Sequence, residues 1–491
     1  MSSRRRGRGL GPWIVLAMVA LLPALGLFAL HRWSSSQVDT GDAEPLIDPD
    51  ASEPTPTEAL TTPVLGIRRM PTVLSRAVNA EAFRSEVDRF LTTLNERSCA
   101  VVAVDGFEVG ARSATLPVVP ASVQKLLVAA VALERLGEDF TYTTSVAAPE
   151  EPTAGVVDGN LYLVGGGDPL LSSDWYPESN MELFPVTSPT SLDALADGVV
   201  AAGVTSVSGD VVGDGSRYDD EYFAPGWGVG VAGLEGGPYD ALIANDSRVL
   251  GEDLRANDPN VGAAREFIRL LEERGVEVVG QATSGTAPAD SIELTSIESA
   301  PLEDVVAEML GNSDNNTAEL LVKEIGATET LPGTREAGLA IMREQLVEWG
   351  VDVGAVVLAD GSGLSLDNRL TCEALAAVVE RYDSDSAIGR ALPVAGQTGT
   401  LSDVFVDHPV QGRLLGKTGS LNNPPFNVDP PAVKSLAGYL PVEGGGEVEY
   451  VLILNGPTIS DQSEYRPIWL DLADTLDTYP SGPTPAQLGP R

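Results

Sequence analysis

Apolar and polar positions alternate along this chain in distinct periods. Residues 80–95 (AEAFRSEVDRFLTTLN) place Phe83, Val87, Phe90 and Leu94 on one face, the spacing of a helix. Two short apolar runs follow, Cys99–Val104 and Glu108–Ser113, with Asp105-Gly106 between them, which predicts two strands joined by a tight turn. After Pro120 the segment from Ala121 to about Leu136 is apolar nearly all round and stops at Gly137, so a buried helix is expected. Strand and helix patterns then alternate from about Val146 to Pro288: strands at Leu161–Val164, Ser206–Val212 and Val276–Gln281, helices at Ser191–Ala202 and Ala263–Arg274. Helical spacing returns at Leu302. Lys434–Leu440 and Glu449–Leu454 flank Gly444-Gly445-Gly446 as a hairpin, and an amphipathic helix spans about Pro467–Thr478. Strands at both ends of one sequence imply a domain interrupted by another. The expected layout is a main domain from 75–145 plus 291–480, an inserted domain at 146–290 and a tail at 481–491.

The N-terminus reads differently. Arg4, Arg5, Arg6 and Arg8 precede an apolar run from about Trp13 to Leu30, long enough to span a bilayer, with the positive flank on the cytoplasmic side. Residues 1–33 are therefore a membrane anchor or a signal; no A-x-A-like site follows the run, which favours an uncleaved anchor. Residues 34–74, rich to about Pro63 in Ser, Thr, Pro, Asp and Glu, read as a disordered linker holding the rest off the membrane.

Composition narrows the chemistry. The 491 residues carry a formal charge of −40, with no basic stripe, which excludes nucleic-acid binding. There are two histidines, His31 and His408, so a Ser-His-Asp triad would have to use His408 and a multi-histidine metal site cannot be built. No cofactor and no metal are expected. Cys99 and Cys372 lack C-x-x-C spacing; they either pair or stay as two buried thiols. The four lysines are Lys125, Lys323, Lys417 and Lys434, every other basic residue being Arg. Lysine can give up its proton when desolvated and arginine cannot, so each lysine is a candidate for chemistry.

Two of them fall in short motifs: Ser122-Val123-Gln124-Lys125 and Lys417-Thr418-Gly419, with Ser313-Asp314-Asn315 between. Ser122 is expected in the first turn of a helix, with Lys125 one turn on along the same face. An amine there takes the hydroxyl proton only if neutral near pH 7, roughly three units below the free value of about 10.4. Burial and a second cation both push that way, and Lys417 is the natural second cation. Ser313 is placed to relay a proton to a leaving amine, and Asn315 to orient a peptide bond. Lys417 and Thr418 would hold a substrate carboxylate, and the N–H of Ser420, after Gly419, would complete an oxyanion hole. Each motif alone has an ordinary reading: a helix cap with a solvated lysine, an N-cap, a turn. Their joint occurrence, in this order, does not.

The trio resembles that of penicillin-binding proteins. From about residue 75 to 475 the chain resembles the class C low-molecular-mass penicillin-binding proteins, the D-alanyl-D-alanine carboxypeptidases and endopeptidases. Further likeness lies in Gly167-Asp168-Pro169, Gly226-Trp227, Asp360-Gly361-Ser362-Gly363-Leu364-Ser365 and Leu392-Pro393-Val394-Ala395-Gly396. The resemblance implies a mixed α/β fold: a transpeptidase-like antiparallel sheet flanked by helices, split by a smaller inserted α/β domain. It implies an acyl-enzyme formed with peptidoglycan peptides and resolved by water, and β-lactam antibiotics as covalent inhibitors. Longer members carry a third domain where this chain passes almost directly from Asn245 to the helix at Ala263, and many have Arg where Leu366 follows the GLS element. Two other readings stay open: a serine β-lactamase of the same fold, although no E-x-x-L-N element lies between the second and third motifs, and a non-catalytic envelope scaffold.

Overall fold

The computed structural model describes residues 70–488 apart from 180, 182–185, 229, 423–431 and 443–445. The segment 1–33 and the linker up to residue 69 lie outside the described residues. Residues Ile67–Arg491 form one compact unit. Along it run α1 (Met70–Leu91), β1 (Cys99–Val104), β2 (Phe107–Arg112), α2 (Lys125–Leu136), β3 (Thr143–Ala148), β4 (Leu161–Val164), α3 (Leu192–Ala201) and β5 (Val211–Asp214). Then come α4 (Pro259–Glu273), β6 (Ala282–Ser284), β7 (Ile292–Glu298), α5 (Leu302–Asn312), α6 (Asn315–Ala327), α7 (Arg335–Glu348) and α8 (Cys372–Val379). The chain closes with β8 (Leu415–Leu421), β9 (Ala432–Pro441), β10 (Glu447–Gly456) and α9 (Gln462–Asp477).

The main sheet has the order β8-β9-β10-β1-β2, antiparallel throughout. Its strands β1 and β10 are buried on both faces, which is why β10 reads as a nearly unbroken apolar run and not as an alternation. Cys99, Val101, Val451 and Ile453 face the larger core, shared with α2, α5, α6, α7 and α8. Their neighbours Ala100, Val102, Leu452 and Leu454 face a second core with α1 and α9, the period of two sorting one strand between two layers. Cys99 and Cys372 are joined by a disulfide that ties β1 to the first turn of α8, across 273 residues of sequence.

The segment between β3 and β7 has a core of its own, around Val146, Leu163, Leu195, Val211 and Phe267. Its sheet runs β6-β5-β4-β3-β7. β3 and β7 pair side by side, Thr143 with Glu298 and Ala148 with Ile292, so the chain enters and leaves this unit through adjacent strands. Between the turn Asn245–Ser247 and α4, residues 248–258 carry no helix or strand. Asp258 caps α4 by accepting from the N–H groups of Asn260 and Val261, with Pro259 in its first turn.

Two boundaries differ from the sequence reading. The first helix begins at Met70, inside the stretch assigned to the linker. Its early apolar residues, Leu74 and Val78, are 48% and 47% exposed, so no amphipathic period announces them. Those turns are held instead by polar contacts with the end of the chain: Ser75 Oγ donates to Pro483 O at 2.6 Å, and Gly482 N donates to Asn79 Oδ1. The expected tail is therefore docked on α1.

Candidate active site

Ser122 does not stand in an α-helix. Residues Ala121–Gln124 form a single 3-10 turn, and α2 proper starts at Lys125. No side-chain cap forms there; the Lys125 N–H donates to Ser122 O instead. In a 3-10 turn side chains at i and i+3 eclipse, which aligns Ser122 and Lys125 more closely than an α-helix would. Ala121 precedes the serine with φ +53, a left-handed backbone uncommon for a residue with a Cβ. Neighbouring backbone holds that turn. A Cβ on Gly363 would meet Ala121 O at 2.1 Å, and one on Gly419 would meet Ser435 Oγ at 2.1 Å and Ser122 N at 3.0 Å. Both glycines are there because main chain packs on main chain.

Lys125 is fully buried, and its Nζ donates to Ser122 Oγ at 3.1 Å, Asn315 Oδ1 at 2.7 Å and Ser362 O at 2.7 Å. No carboxylate among the described residues bonds it. Burial lowers its pKa to about 8, against the pull of Asp314, Asp360 and Glu319. Lys417, on the edge strand β8, is also fully buried and donates to Ser313 Oγ and Thr418 O, both at 2.8 Å. Burial, and then the charge of Lys125, push Lys417 well below the ordinary lysine value. Both buried amines are thus pushed below the ordinary lysine value, Lys417 with the charge of Lys125 contributing.

The remaining motif residues come from the α5–α6 junction. Ser313 ends α5 in a left-handed conformation, and Asp314 caps α6 by accepting from Thr317 N. That puts Asn315 at the first position of α6, with its Oδ1 toward Lys125 and its Nδ2 donating to Glu235 O at 2.7 Å. Asn316 accepts from Gly237 N at 2.6 Å and donates to Asp246. The long segment between β3 and β7 thus grips the junction from the other side. Thr418 Oγ1 donates to Thr400 Oγ1 at 2.8 Å, and Ser420 is exposed at the rim. Ser122, Ser313, Asn315, Thr418 and Ser420 all line one cleft of about 750 Å³, with Lys125, Lys417 and Gly419 behind them in its wall.

His408 is not on this cleft and bonds Asp474 at 3.2 Å, so no Ser-His-Asp triad is assembled there. Among the described residues no group of three or more His, Cys, Asp or Glu is arranged to hold a metal ion.

Sequence reasoning missed two buried carboxylates. Glu319, in α6, accepts from Gly361 N at 3.0 Å and Ser362 N at 2.7 Å. Asp360 accepts from Gly363 N, Ser365 N, Asn368 Nδ2 and the indole N–H of Trp227. Together they shape the loop that presents Ser362 O to Lys125. Burial, and then the Asp360 charge, raise the Glu319 pKa. The available signal was the pattern of α6, a helix apolar on all sides yet punctuated by Glu319, Lys323 and Glu324, since charges inside a fully buried helix need partners.

The profile of the D-Ala-D-Ala carboxypeptidase 3 (S13) family matches residues 87–230 and 239–476. A D-alanyl-D-alanine carboxypeptidase of Actinomadura sp. is 29% identical over 460 residues, covering 76% of this chain and 81% of that protein. A carboxypeptidase of Mycobacterium tuberculosis is 30% identical over 374 residues, covering 72% of this chain and 74% of that protein. Among solved structures, penicillin binding protein 4 of Haemophilus influenzae shares the fold, with a TM-score of 0.64, 21% identity, and coverage of 80% of this chain and 99% of that one. The mixed α/β fold expected from the motifs is the fold found. The chain belongs to the D-Ala-D-Ala carboxypeptidase 3 (S13) family and is a class C low-molecular-mass penicillin-binding protein.

Proposed function

We propose that this chain cleaves the D-alanyl-D-alanine bond of peptidoglycan stem peptides, or the corresponding cross-link, through an acyl-enzyme at Ser122. The observation that carries the reading is the 3.1 Å contact between Ser122 Oγ and a fully buried Lys125 Nζ whose other partners are neutral. As Lys125 loses its proton, its lone pair accepts the hydroxyl proton of Ser122 while Oγ adds to the scissile carbonyl. Asn315 is positioned to orient the peptide. Ser313, two residues before Asn315 and bonded by Lys417 Nζ at 2.8 Å, is assigned the relay of a proton to the departing amine. The C–N bond then breaks, and water hydrolyses the ester. The backbone N–H groups of Ser122 and Ser420 are assigned to the oxyanion, a role that typically carries about 10²–10³ in rate.

Work on the cell wall puts the catalytic part outside the cytoplasm, and the disulfide suits an oxidising compartment. The Arg-rich start and apolar run support membrane retention through the N-terminal segment, and the separate core between β3 and β7 supports an inserted domain. The test is a fluorescent penicillin followed by peptide mass mapping. The expected result is one long-lived adduct, on Ser122. An adduct on another serine overturns the assignment, rapid turnover of the penicillin favours a β-lactamase, and no adduct leaves a scaffold.

A further inference from the structure

Lys434, one of the two lysines with no part in that mechanism, stands on β9 directly across from Ser420 on β8. Its Nζ donates to Ser420 Oγ at 2.8 Å and lies 4.6 Å from the centre of the Tyr465 ring. Ser420, Lys434, Tyr465 and Arg466 line the same cleft as Ser122 and Thr418. Arg466 is 3.8 Å from Asp403, and its Nε has no hydrogen-bond partner among the described residues. Two cations therefore share one lip of the cleft in a chain of formal charge −40. Side by side they repel, and an anion arriving from the cleft removes that penalty.

Hydrogen-bond polarity points the same way. The ammonium of Lys434 donates into a lone pair of Ser420 Oγ, which leaves the hydroxyl proton of Ser420 for an acceptor elsewhere. Lys434 has two more N–H groups to offer. Lys417 is sealed in the wall, its contacts being Ser313 Oγ and Thr418 O, and so has no comparable access to a ligand.

We propose that Lys434, with the hydroxyl of Ser420 beside it and Arg466 behind, supplies the positive charge that recognises the carboxylate on the departing residue of the substrate, and that Lys417 does not. The inference rests on the acyl-transfer reading above and assigns a specificity-determining residue to it.

The experiment uses two thioesters with the same acyl group, one whose leaving group bears a carboxylate and one bearing a carboxamide in its place. The readout is the ratio of their kcat/KM values. Wild type favours the carboxylate ester. In Lys434→Gln that preference falls by about 10- to 100-fold, the carboxamide ester staying within about twofold, because only the charged interaction is lost. Lys434→Arg keeps most of the preference, since it keeps the charge. Raising salt from about 50 to 500 mM erodes the preference in wild type and not in Lys434→Gln. Equal loss for both esters in Lys434→Gln, or no loss, overturns the proposal. If that variant does not fold, Lys434→Arg and the salt series on wild type decide it: a salt-insensitive preference overturns it as well. Wild type that acylates with neither ester defeats the acyl-enzyme reading itself, a separate outcome.

Discussion

Helix α6 links two places where a lysine is completely buried, and they are built in opposite ways. At its N-terminal end Asn315 meets Lys125, and Ser313 just ahead of it meets Lys417; the contacts of both amines are hydroxyl, amide and carbonyl oxygens, all neutral. Further along the same helix Lys323 is equally buried, but its Nζ meets Asp219 Oδ1 at 2.6 Å, donates to the carbonyls of Asp219 and Glu221, and sits 5.4 Å from the Tyr239 ring. One kind of site withholds a counter-ion, which destabilises the charged amine; the other provides one. Burial does not make a lysine reactive. What touches the buried amine decides.

The most severe test of that contrast is Lys125→Arg, which keeps a charge that can never be shed. Acylation by a β-lactam should fall by about 10²–10⁴, while a cooperative melt persists. In wild type the same rate should climb with pH through about 8, the value to which burial lowers Lys125. A variant that acylates at the wild-type rate ends the assignment. Lys323→Met should behave inversely. It takes the partner from Asp219, whose side chain is 30% exposed, so the cost in chemical denaturation should be about 1–3 kcal/mol, with the acylation rate per folded molecule nearly unchanged. Comparable losses in both measurements would show that the two sites are not distinct.

Lys417→Arg sharpens the comparison within the active corner. It installs a permanent charge where the wild-type amine is driven toward neutrality, so the rise of rate with pH should move about one unit lower or more while the plateau drops. An unshifted profile would mean that Lys417 already carries its charge. The smallest effect concerns the carboxylates. Burial raises Asp240 and Glu449 to about 7 and Asp168 to about 6, and pushes Glu319 upward. These groups hold protons to higher pH folded than unfolded. Their contribution to stability is thus complete below about pH 4 and is lost as pH rises through 6–7. The melting temperature should fall by a few degrees between about pH 5 and 8, and Glu319→Gln should flatten part of that slope. A wild-type melting temperature that rises over this range contradicts the sign.

The motif trio was legible because each motif combines residue types that matter only together, and because lysine is scarce here. Most elements were legible from their periods, the buried runs of β1 and β10 included. The start of α1 was not, since Ser75 and Asn79 hold it through polar contacts that leave no apolar stripe. The 3-10 turn at Ala121–Gln124 was read as a helix start because local sequence does not record that Gly363 and Gly419 press on it from remote parts of the chain. Glu319 looks like any acidic residue, and the signature that contains Asp360 does not say what that carboxylate holds, until the loop is folded around them. The pairing of Cys99 with Cys372 was undecidable for the same reason, as its cause is three-dimensional.

The strand order of the main sheet also sets a schedule. β1 is made early, yet it lies between β2 and β10, and β10 is among the last segments synthesised. A chain that has emerged only to residue 440 already contains Ser122, Lys125, Ser313, Asn315 and Lys417, but it lacks the strand that joins β9 to β1. The segment from β3 to β7 contains its whole core and can fold as it appears, whereas the catalytic sheet has to wait for the final strand. A nascent chain arrested at residue 440 should therefore fail to bind penicillin, and one extended past Thr478 should bind it. On the reading proposed above, the nucleophile Ser122 is made early and becomes competent late, once the final strand is in place.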